Sequence, residues 1–250
     1  MSDAILVTED VNKTFGAVTA AREVSVEVPR GAIWSLIGSN GAGKTTFVNM
    51  VTGYTKPDRG RILFEGSEIT RLSPRQITRL GIRRSFQMPQ LYAELSVLQN
   101  MLVSRSINAE RPPSIWRGAQ GADDVERAME ILKRFKIADY SDRLMGELSA
   151  GVRKLLDIAM AISGAPRVVM LDEPTSGVAA EEKFPIMDLV MEALSASDVT
   201  ILFVEHDMDI VTRYSQRVLA FYDGAIVAND APDEVLADEV VQRYVTGTTK

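Results

Sequence analysis

The chain has 250 residues, a net charge of −6 and no cysteine. The absence of cysteine excludes disulfides, thiolate metal sites and cysteine nucleophiles, and the negative charge disfavours a general nucleic-acid binder, which usually presents a basic face. No window of about 18 residues is apolar and uncharged throughout, so the sequence predicts no membrane-spanning helix. The length fits one large domain, or two lobes that share a core.

Short apolar runs alternate with helical patterns along the chain. Strands are predicted at 4–11, 24–31, 32–38, 60–66, 167–173 and 200–206, with a hairpin at 217–230. Helices are predicted at 43–54, 97–107, 123–135, 153–163, 181–194 and 232–245. Strands that alternate with helices predict a parallel sheet covered on both faces. The helical stretch at 95–150, which includes a linker with proline and glycine at 108–121, looks inserted into that sheet.

The sequence GSNGAGKTT follows an apolar strand and opens a helix. It matches the phosphate-binding pattern G-x-x-x-x-G-K-[ST]. Glycines let backbone N–H groups curl around an anion, the helix N-terminus adds positive potential, the lysine bridges the outer phosphates and the first threonine ligates Mg²⁺. A glycine-rich turn with a chance lysine is the alternative, which the strand before and the helix after disfavour. The candidate nucleotide-binding residues are Gly38, Ser39, Asn40, Gly41, Ala42, Gly43, Lys44, Thr45 and Thr46.

Two acids end a later apolar strand, in the sequence RVVMLDEP at 167–174. A phosphate-binding loop needs an acid at the tip of a neighbouring strand to hold Mg²⁺. We therefore expect Asp172 to hold the metal, directly or through water, and Glu173 to polarise the attacking water. The alternative is an acidic strand end that merely precedes a proline turn.

Five segments stand in an order typical of one protein family. They are GSNGAGKTT, SFQ at 85–87, ELSAGVRKLLDIAMAI at 147–162, VVMLDEPTSG at 168–177 and EHD at 205–207. Together they resemble the ATPase subunits of ABC transporters over essentially the whole chain. The resemblance implies an α/β fold with a P-loop NTPase core around a parallel sheet, an N-terminal antiparallel β subdomain and an inserted α-helical subdomain. Residues 1–94 and 151–250 would form the nucleotide-binding core, and about 95–150 the helical subdomain ending in the signature motif.

The resemblance also assigns roles to single residues. His206, the one histidine in the chain, matches the switch histidine that contacts the γ-phosphate and helps to position the attacking water. Gln87 matches the glutamine that ligates Mg²⁺ and links the nucleotide to the membrane partner. Phe15 matches the aromatic residue that stacks on adenine. The alternatives are a satisfied histidine at a strand end, an ordinary loop glutamine and a phenylalanine packed in the core.

The signature motif departs from the usual L-S-G-G-Q. Ser149 and Gly151 match it, whereas Ala150 and Val152 do not. Ser149 also suits the N-cap of the following helix, and the two roles are compatible because a capped N-terminus is an anion site. In the family this motif contacts ATP held by the opposite subunit. The D-loop, which is the segment at 176–179 after the predicted catalytic glutamate, departs as well, because Ala179 stands where the family carries a polar side chain. The resemblance therefore does not decide whether the nucleotide sites of the two subunits communicate.

The resemblance is strongest to ATPases of branched-chain amino acid importers, on the stretch from GRILFEG to MLV and on the C-terminal sequence. It implies ATP and Mg²⁺ as cofactors, and a peripheral location on the cytoplasmic face of the inner membrane. The implied partners are integral-membrane permease subunits, a second ABC ATPase in a homodimer or heterodimer, and indirectly a periplasmic solute-binding protein, with no nucleic acid. The implied cargo is a branched-chain amino acid or a related amide or acid.

Three other functions compete with this interpretation. A nucleic-acid-linked ABC ATPase usually carries paired cassettes or long coiled-coil insertions, whereas this chain has one cassette and a short insertion. A lipopolysaccharide-export ATPase is of similar size, but GIRRSFQ at 81–87 suits the importers better. A regulatory P-loop GTPase would need a guanine-selecting N-K-x-D motif, which the sequence does not contain after the phosphate loop.

Overall fold

The computed structural model describes residues 4–85, 91–108, 121–195 and 198–247. These residues divide into two compact units, the first formed by Met1–Leu80 with Val199–Lys250 and the second by Gly81–Asp198. None of the helices in these four ranges is long and apolar enough to cross a membrane.

The described residues contain ten strands and nine α-helices. The strands are β1 (Ala4–Phe15), β2 (Val18–Pro29), β3 (Ile33–Gly38), β4 (Arg59–Phe64), β5 (Ser67–Glu68), β6 (Ile82–Ser85), β7 (Val168–Asp172), β8 (Thr200–Val204), β9 (Arg217–Tyr222) and β10 (Ala225–Asp230). The helices are α1 (Lys44–Val51), α2 (Pro74–Leu80), α3 (Val97–Asn108), α4 (Ala122–Arg134), α5 (Ala150–Ile162), α6 (Lys183–Ser195), α7 (Met208–Tyr214), α8 (Pro232–Ala237) and α9 (Glu239–Val241).

The first unit contains an antiparallel sheet in the order β2-β1-β4-β5. Its long strands β1 and β2 alternate buried apolar residues with exposed ones, which is the pattern of a sheet with one face on a core. This sheet matches the N-terminal antiparallel subdomain that the resemblance implies.

The same unit contains a second set of strands, in which β3 lies between β8 and β9 and pairs in parallel with both. Strand β10 adds an antiparallel edge through the predicted hairpin with β9. Strands β3 and β8 are almost entirely buried, as expected of parallel strands with both faces covered. Helix α1 packs through Phe47 on Phe221 of β9, with ring centroids 5.6 Å apart, so the helix that follows the phosphate loop is anchored in the core.

The second unit pairs β6 and β7 in parallel and packs helices beside them. Helix α3 contacts α4 and α5, and α5 contacts α6 and both strands. Leu156 and Ile158 of α5 are fully buried, which fixes the helix whose first turn carries the signature motif. The predicted boundaries of the helical subdomain, 95–150, stay a prediction.

The predicted elements are confirmed where the structure describes them, except that the helix predicted at 232–245 is divided at Asp238. This residue is extended and caps α9 by accepting hydrogen bonds from the N–H groups of Val240 and Val241. The predicted linker at 108–121 lies almost wholly outside the described residues. Four elements were missed: β5, α2, β6 and α7. Helices α2 and α7 have seven residues each, which is too short for a helical period to repeat convincingly. Strand β6 reads IRRS, and two adjacent arginines hide the apolar pattern of a buried strand.

Candidate functional site

The phosphate loop connects β3 to α1 and folds over its own lysine. The Nζ of Lys44 donates hydrogen bonds to the carbonyl oxygens of Gly38, at 2.7 Å, and Ser39, at 3.1 Å. The side chain is buried. Burial of a charged ammonium is tolerated because hydrogen-bond acceptors surround it. The positive charge is thereby held at the loop, where a bound phosphate would need it.

Two glycines of the loop are required by close packing. A Cβ at Gly38 would lie 2.6 Å from the carbonyl oxygen of Phe221, and a Cβ at Gly43 would lie 2.6 Å from that of Ala20. Both glycines also have positive φ, at 155° and 110°. The sequence motif therefore has a steric reason in this fold: main chain from β2 and β9 presses against the loop.

The mouth of the loop combines a helix N-terminus with exposed polar groups. Gly43 is the N-cap of α1 in a left-handed conformation and contributes no side chain to cap the helix. The first N–H groups of a helix have no partner within the helix, and together with the helix dipole they favour an anion. Ser39, Asn40, Gly41 and Thr45 are exposed here, whereas Ala42 is buried and Thr46 is half-buried.

The predicted adenine platform lies at the end of β1. Phe15 is 50% exposed, so packing in the core does not account for it. The Nζ of Lys13 lies 5.2 Å from the centroid of its ring. Asp58 accepts hydrogen bonds from the Nζ of Lys13, at 2.7 Å, and from the backbone N–H of Thr14, at 2.8 Å. These two hydrogen bonds, that from Lys13 first, lower the pKa of the Asp58 carboxyl group and hold the strand end that presents Phe15.

His206 follows β8 and is exposed, whereas Glu205 before it is buried. The Oε2 of Glu205 accepts a hydrogen bond from the backbone N–H of His206 at 3.1 Å. Asp207 then caps helix α7, with its Oδ1 accepting from the N–H of Asp209 at 3.2 Å. The histidine is thus held between a buried carboxylate and a helix cap, with its imidazole reaching solvent. Its role at the γ-phosphate stays a prediction.

In the second unit, β7 ends at the two predicted catalytic acids. Asp172 is buried and Glu173 is half-buried. Glu173 has a φ of 48°, which is unusual for a residue with a side chain and costs about 1–3 kcal/mol. Such strain concentrates at functional sites. The turn is closed by a hydrogen bond from the N–H of Ser176 to the carbonyl oxygen of Glu173 at 3.1 Å.

The signature segment begins helix α5. The Oγ of Ser149 accepts a hydrogen bond from the N–H of Val152 at 3.3 Å, which confirms the predicted N-cap. Ser149 and Ala150 are exposed, so this end of the helix is open to a ligand. Gly151 is buried, and a Cβ there would lie 3.0 Å from the Cδ1 of Ile186 on α6. Packing on α6 is therefore a second reason for that glycine.

The described residues suit Mg²⁺ in their donor chemistry. Thr45 has a hydroxyl and Asp172 a carboxylate, and oxygen ligands of this kind are those that Mg²⁺ takes. No cluster of three or more His, Cys, Asp or Glu side chains occurs in the described ranges. Gln87, the other predicted ligand, lies outside the described residues.

Sequence reasoning missed two cations beside Asp172. The side chain of Arg84 pairs with the carboxylate at 2.6 Å, and the Nζ of Lys154 donates to the main-chain oxygen of Asp172 at 3.3 Å. Arg84 stands three positions before Gln87 in a segment that had been singled out for its resemblance to importers. Nothing local to the sequence connects either cation to Asp172, because the contacts depend on how β6 and α5 pack on β7.

Comparisons with known proteins agree with these features. A family model described as "ABC transporter" matches residues 21–176. The chain is 37% identical to the probable branched-chain amino acid transport ATP-binding protein LivG of Methanocaldococcus jannaschii, over 96% of this chain and 97% of that protein. It is 32% identical to the high-affinity LivG of Escherichia coli strain K12, over 98% and 99% of the two chains.

Solved structures lead to the same family. A nucleotide-free ATP-binding cassette from an ABC transporter superposes with a TM-score of 0.85 at 36% identity, covering 95% of this chain and 97% of that one. A cassette in its ADP conformation superposes with a TM-score of 0.86 at 36% identity, covering 96% and 97%. The α/β fold with its antiparallel sheet, parallel strands and helices is thereby confirmed as that of an ABC ATPase. The chain belongs to the ABC transporter family, as one of its ATP-hydrolysing cassettes.

Proposed function

We propose that this chain powers the import of a small polar or amphipathic solute, either a branched-chain amino acid or a related amide or acid, through membrane partner subunits. The observation that carries the proposal is the similarity to LivG proteins along nearly the whole chain. The geometry of the phosphate loop supports it, because the ammonium of Lys44 is held at the loop and the N-terminus of α1, which favours an anion, follows directly.

The nucleotide is ATP, and each part of the loop has a task in binding it. The N–H groups of the loop and the ammonium of Lys44 receive the phosphates, and Phe15 stacks on the adenine through its exposed ring face. Stacking on a π-face selects weakly among bases, so some use of GTP is expected. Thr45 and Asp172, with Gln87, are the residues that would hold Mg²⁺, which when bound offsets the negative charge of the phosphates.

Hydrolysis is assigned to Glu173 and His206. The carboxylate of Glu173 polarises the attacking water, as a general base placed one residue beyond the metal-binding acid. A neutral imidazole offers one donor and one acceptor, which lets His206 contact the γ-phosphate and the water together. The strained backbone of Glu173 and the exposure of His206 support these roles.

The complete enzyme contains a second ABC ATPase subunit. The exposed first turn of α5, with Ser149 and Gly151, would contact ATP held by that subunit, because a helix N-terminus favours an anion. Integral-membrane permease subunits anchor the pair peripherally at the cytoplasmic face of the inner membrane, and a periplasmic binding protein chooses the solute.

The stretch at 88–92 is assigned to the permease contact. Met88 to Gln90 lie outside the described residues, and Tyr92 at its end is 50% exposed. The buried side chain of Asn100 holds this end of the stretch. Its Oδ1 accepts a hydrogen bond from the backbone N–H of Tyr92 at 2.9 Å, and its Nδ2 donates one to the carbonyl oxygen of Tyr92 at 3.1 Å. An exposed aromatic ring on a fixed backbone suits an interface.

The test is reconstitution with the genomic neighbours. The chain, its neighbouring permeases and any second ATPase are copurified into proteoliposomes that contain MgATP, and uptake of radiolabelled leucine, urea and a short aliphatic amide is compared in the presence of the neighbouring binding protein. We expect ATP-dependent uptake of one of these solutes, abolished by Glu173→Gln as the matched inactive variant. ATP turnover that responds to DNA or RNA, with no permease copurified, would support a nucleic-acid-linked ATPase and reject the proposal.

A further inference from the structure

The carboxylate of Asp172 is engaged by an arginine. The Nη2 atom of Arg84 lies 2.6 Å from the Oδ2 atom of Asp172, and the two side chains are only 8% and 10% exposed. A charge-assisted hydrogen bond this short in a water-poor environment is strong. The ion pair itself carries no net charge, because the guanidinium group cancels the charge of the carboxylate.

The register of the two strands produces this pair. Strands β6 and β7 run in parallel, with Arg84 opposite Met170 and Ser85 opposite Leu171. Side chains two positions apart on a strand share a face, so Asp172 lies diagonally ahead of Arg84 on the same face. A diagonal neighbour is within reach of a long side chain, and the guanidinium group therefore meets the carboxylate where β7 ends.

A lysine fixes the main chain of the same residue. The Nζ of Lys154 donates to the carbonyl oxygen of Asp172 at 3.3 Å, and the lysine is 2% exposed. Lys154 lies one turn after the N-cap Ser149 in helix α5. The side chain and the backbone of Asp172 are thus held by cations from two different elements, so its carboxylate cannot turn freely.

We propose that Arg84 is the positioning residue for Mg²⁺ at this site: it holds the Asp172 carboxylate by Oδ2 and cancels its charge, so that Mg²⁺ binds appreciably only together with ATP. This inference rests on the proposed role of Asp172 as a metal ligand. Mg²⁺ gives up its water reluctantly and is usually held by one or two carboxylates together with substrate phosphates. A neutralised carboxylate attracts the free ion weakly, and the phosphates supply the missing negative charge.

A purely structural role for Arg84 makes a different prediction. In that case the arginine only stabilises a buried carboxylate, and its removal lowers the melting temperature by the same amount at every Mg²⁺ concentration. In our proposal its removal leaves an unneutralised carboxylate that Mg²⁺ can occupy. The loss of stability is then recovered as Mg²⁺ is added, without any nucleotide.

The experiment compares nucleotide-free wild type with Arg84→Gln in thermal melts from EDTA through increasing Mg²⁺. The matched control is Arg61→Gln, which removes an arginine paired with Glu9 at 2.6 Å on the surface. We expect the melting temperatures of wild type and Arg61→Gln to be insensitive to Mg²⁺. The melting temperature of Arg84→Gln is expected to be lower than that of wild type in EDTA and to rise as Mg²⁺ is added. We expect the affinity of this variant for the free ion to be about tenfold or more above that of wild type.

Two further variants complete the design. The double variant Arg84→Gln/Asp172→Asn removes both charges of the ion pair and is expected to lose the response to Mg²⁺. Arg84→Met covers the case in which Arg84→Gln does not fold, because it also removes the positive charge while keeping an unbranched side chain. Its melting temperature is likewise expected to rise with Mg²⁺. A flat Mg²⁺ response in whichever of Arg84→Gln and Arg84→Met folds, or a wild-type response as large as theirs, overturns the proposal.

A second measurement separates this inference from the proposed function. ATP binding is titrated in EDTA and in Mg²⁺ for wild type and for Asp172→Asn. If Asp172→Asn binds ATP with the Mg²⁺ dependence of wild type, the metal role of Asp172 itself fails. If Asp172→Asn loses that dependence while the Arg84 variants respond to Mg²⁺ as wild type does, only the role of Arg84 fails.

Discussion

Gly43→Ala tests whether main-chain packing against the phosphate loop is what requires glycine there. The glycine has a φ of 110°, and an added Cβ would lie 2.6 Å from the carbonyl oxygen of Ala20 and 3.2 Å from the Cα of Gly224. Both contacts are with backbone, in β2 and in the β9–β10 turn, so no side chain can rotate away. The substitution therefore combines backbone strain with a clash.

The two contributions can be estimated separately. A residue with a side chain in a left-handed conformation costs about 1–2 kcal/mol, and forcing extra volume into a packed region costs about 1–3 kcal/mol. Gly43→Ala should therefore destabilise the fold by about 2–5 kcal/mol. Gly66, with a φ of 75° and nothing within 4 Å of an added Cβ, should show the first contribution alone. The difference in stability between Gly43→Ala and Gly66→Ala is then the packing contribution alone, about 1–3 kcal/mol. It corresponds to about 2–12 °C in melting temperature for a chain of this size.

The assay is thermal unfolding of both variants, together with equilibrium titration of a fluorescent ATP analogue. We expect Gly66→Ala to bind the analogue as wild type does, and Gly43→Ala to lose most of its affinity because the loop N–H groups are displaced. Gly41→Ala is a second control, because Gly41 has a φ of 82° and open space around an added Cβ; it should melt near Gly66→Ala. If Gly43→Ala melts with the two controls and binds ATP normally, packing does not explain the glycine.

Three further predictions follow from the proposed roles. Glu173→Gln should bind MgATP and hydrolyse it about 10²–10⁴-fold more slowly; a purified transporter with this change that kept more than about half its turnover would contradict the role as general base. Lys44→Ala should abolish ATP binding because the ammonium contacts phosphate in the ground state, whereas His206→Ala should spare binding and slow hydrolysis; equal losses of ATP affinity would contradict that separation. The chain alone should be a poor ATPase, and a different ATPase encoded by a neighbouring gene should raise its turnover. The reason is that Ala150 and Val152 alter the signature motif that this chain offers to its partner, and a missing polar contact at phosphate costs about 1–3 kcal/mol. Turnover that rises when the chain dimerises alone, and that does not change when the second ATPase is added, would contradict this prediction.

Local sequence determined much of the fold and the local form of the phosphate loop. The buried strand at 33–38, the glycine-rich turn and helix α1 follow from an apolar run, from backbone freedom at glycine and from a helix start, all of which act within about ten residues. The same holds for Ser149, whose hydroxyl caps the helix that it precedes, and for the hairpin of β9 and β10. Such patterns can be recognised in the sequence because the interactions behind them join residues that are close together along the chain.

Tertiary structure alone decided which distant groups meet. Arg84 and Asp172 are 88 positions apart, and their pairing requires the register of β6 on β7, which many weak packing contacts set together. Residue 43 has to be glycine because the main chain of β2 and of the β9–β10 turn lies close to it. The sequence of the loop does not predict either contact. The exposure of each side chain also depends on the tertiary structure. Phe15 is exposed and Lys154 is buried, although residue type alone predicts the reverse. Such contacts depend on the whole chain, because only complete folding excludes water from them and fixes their geometry.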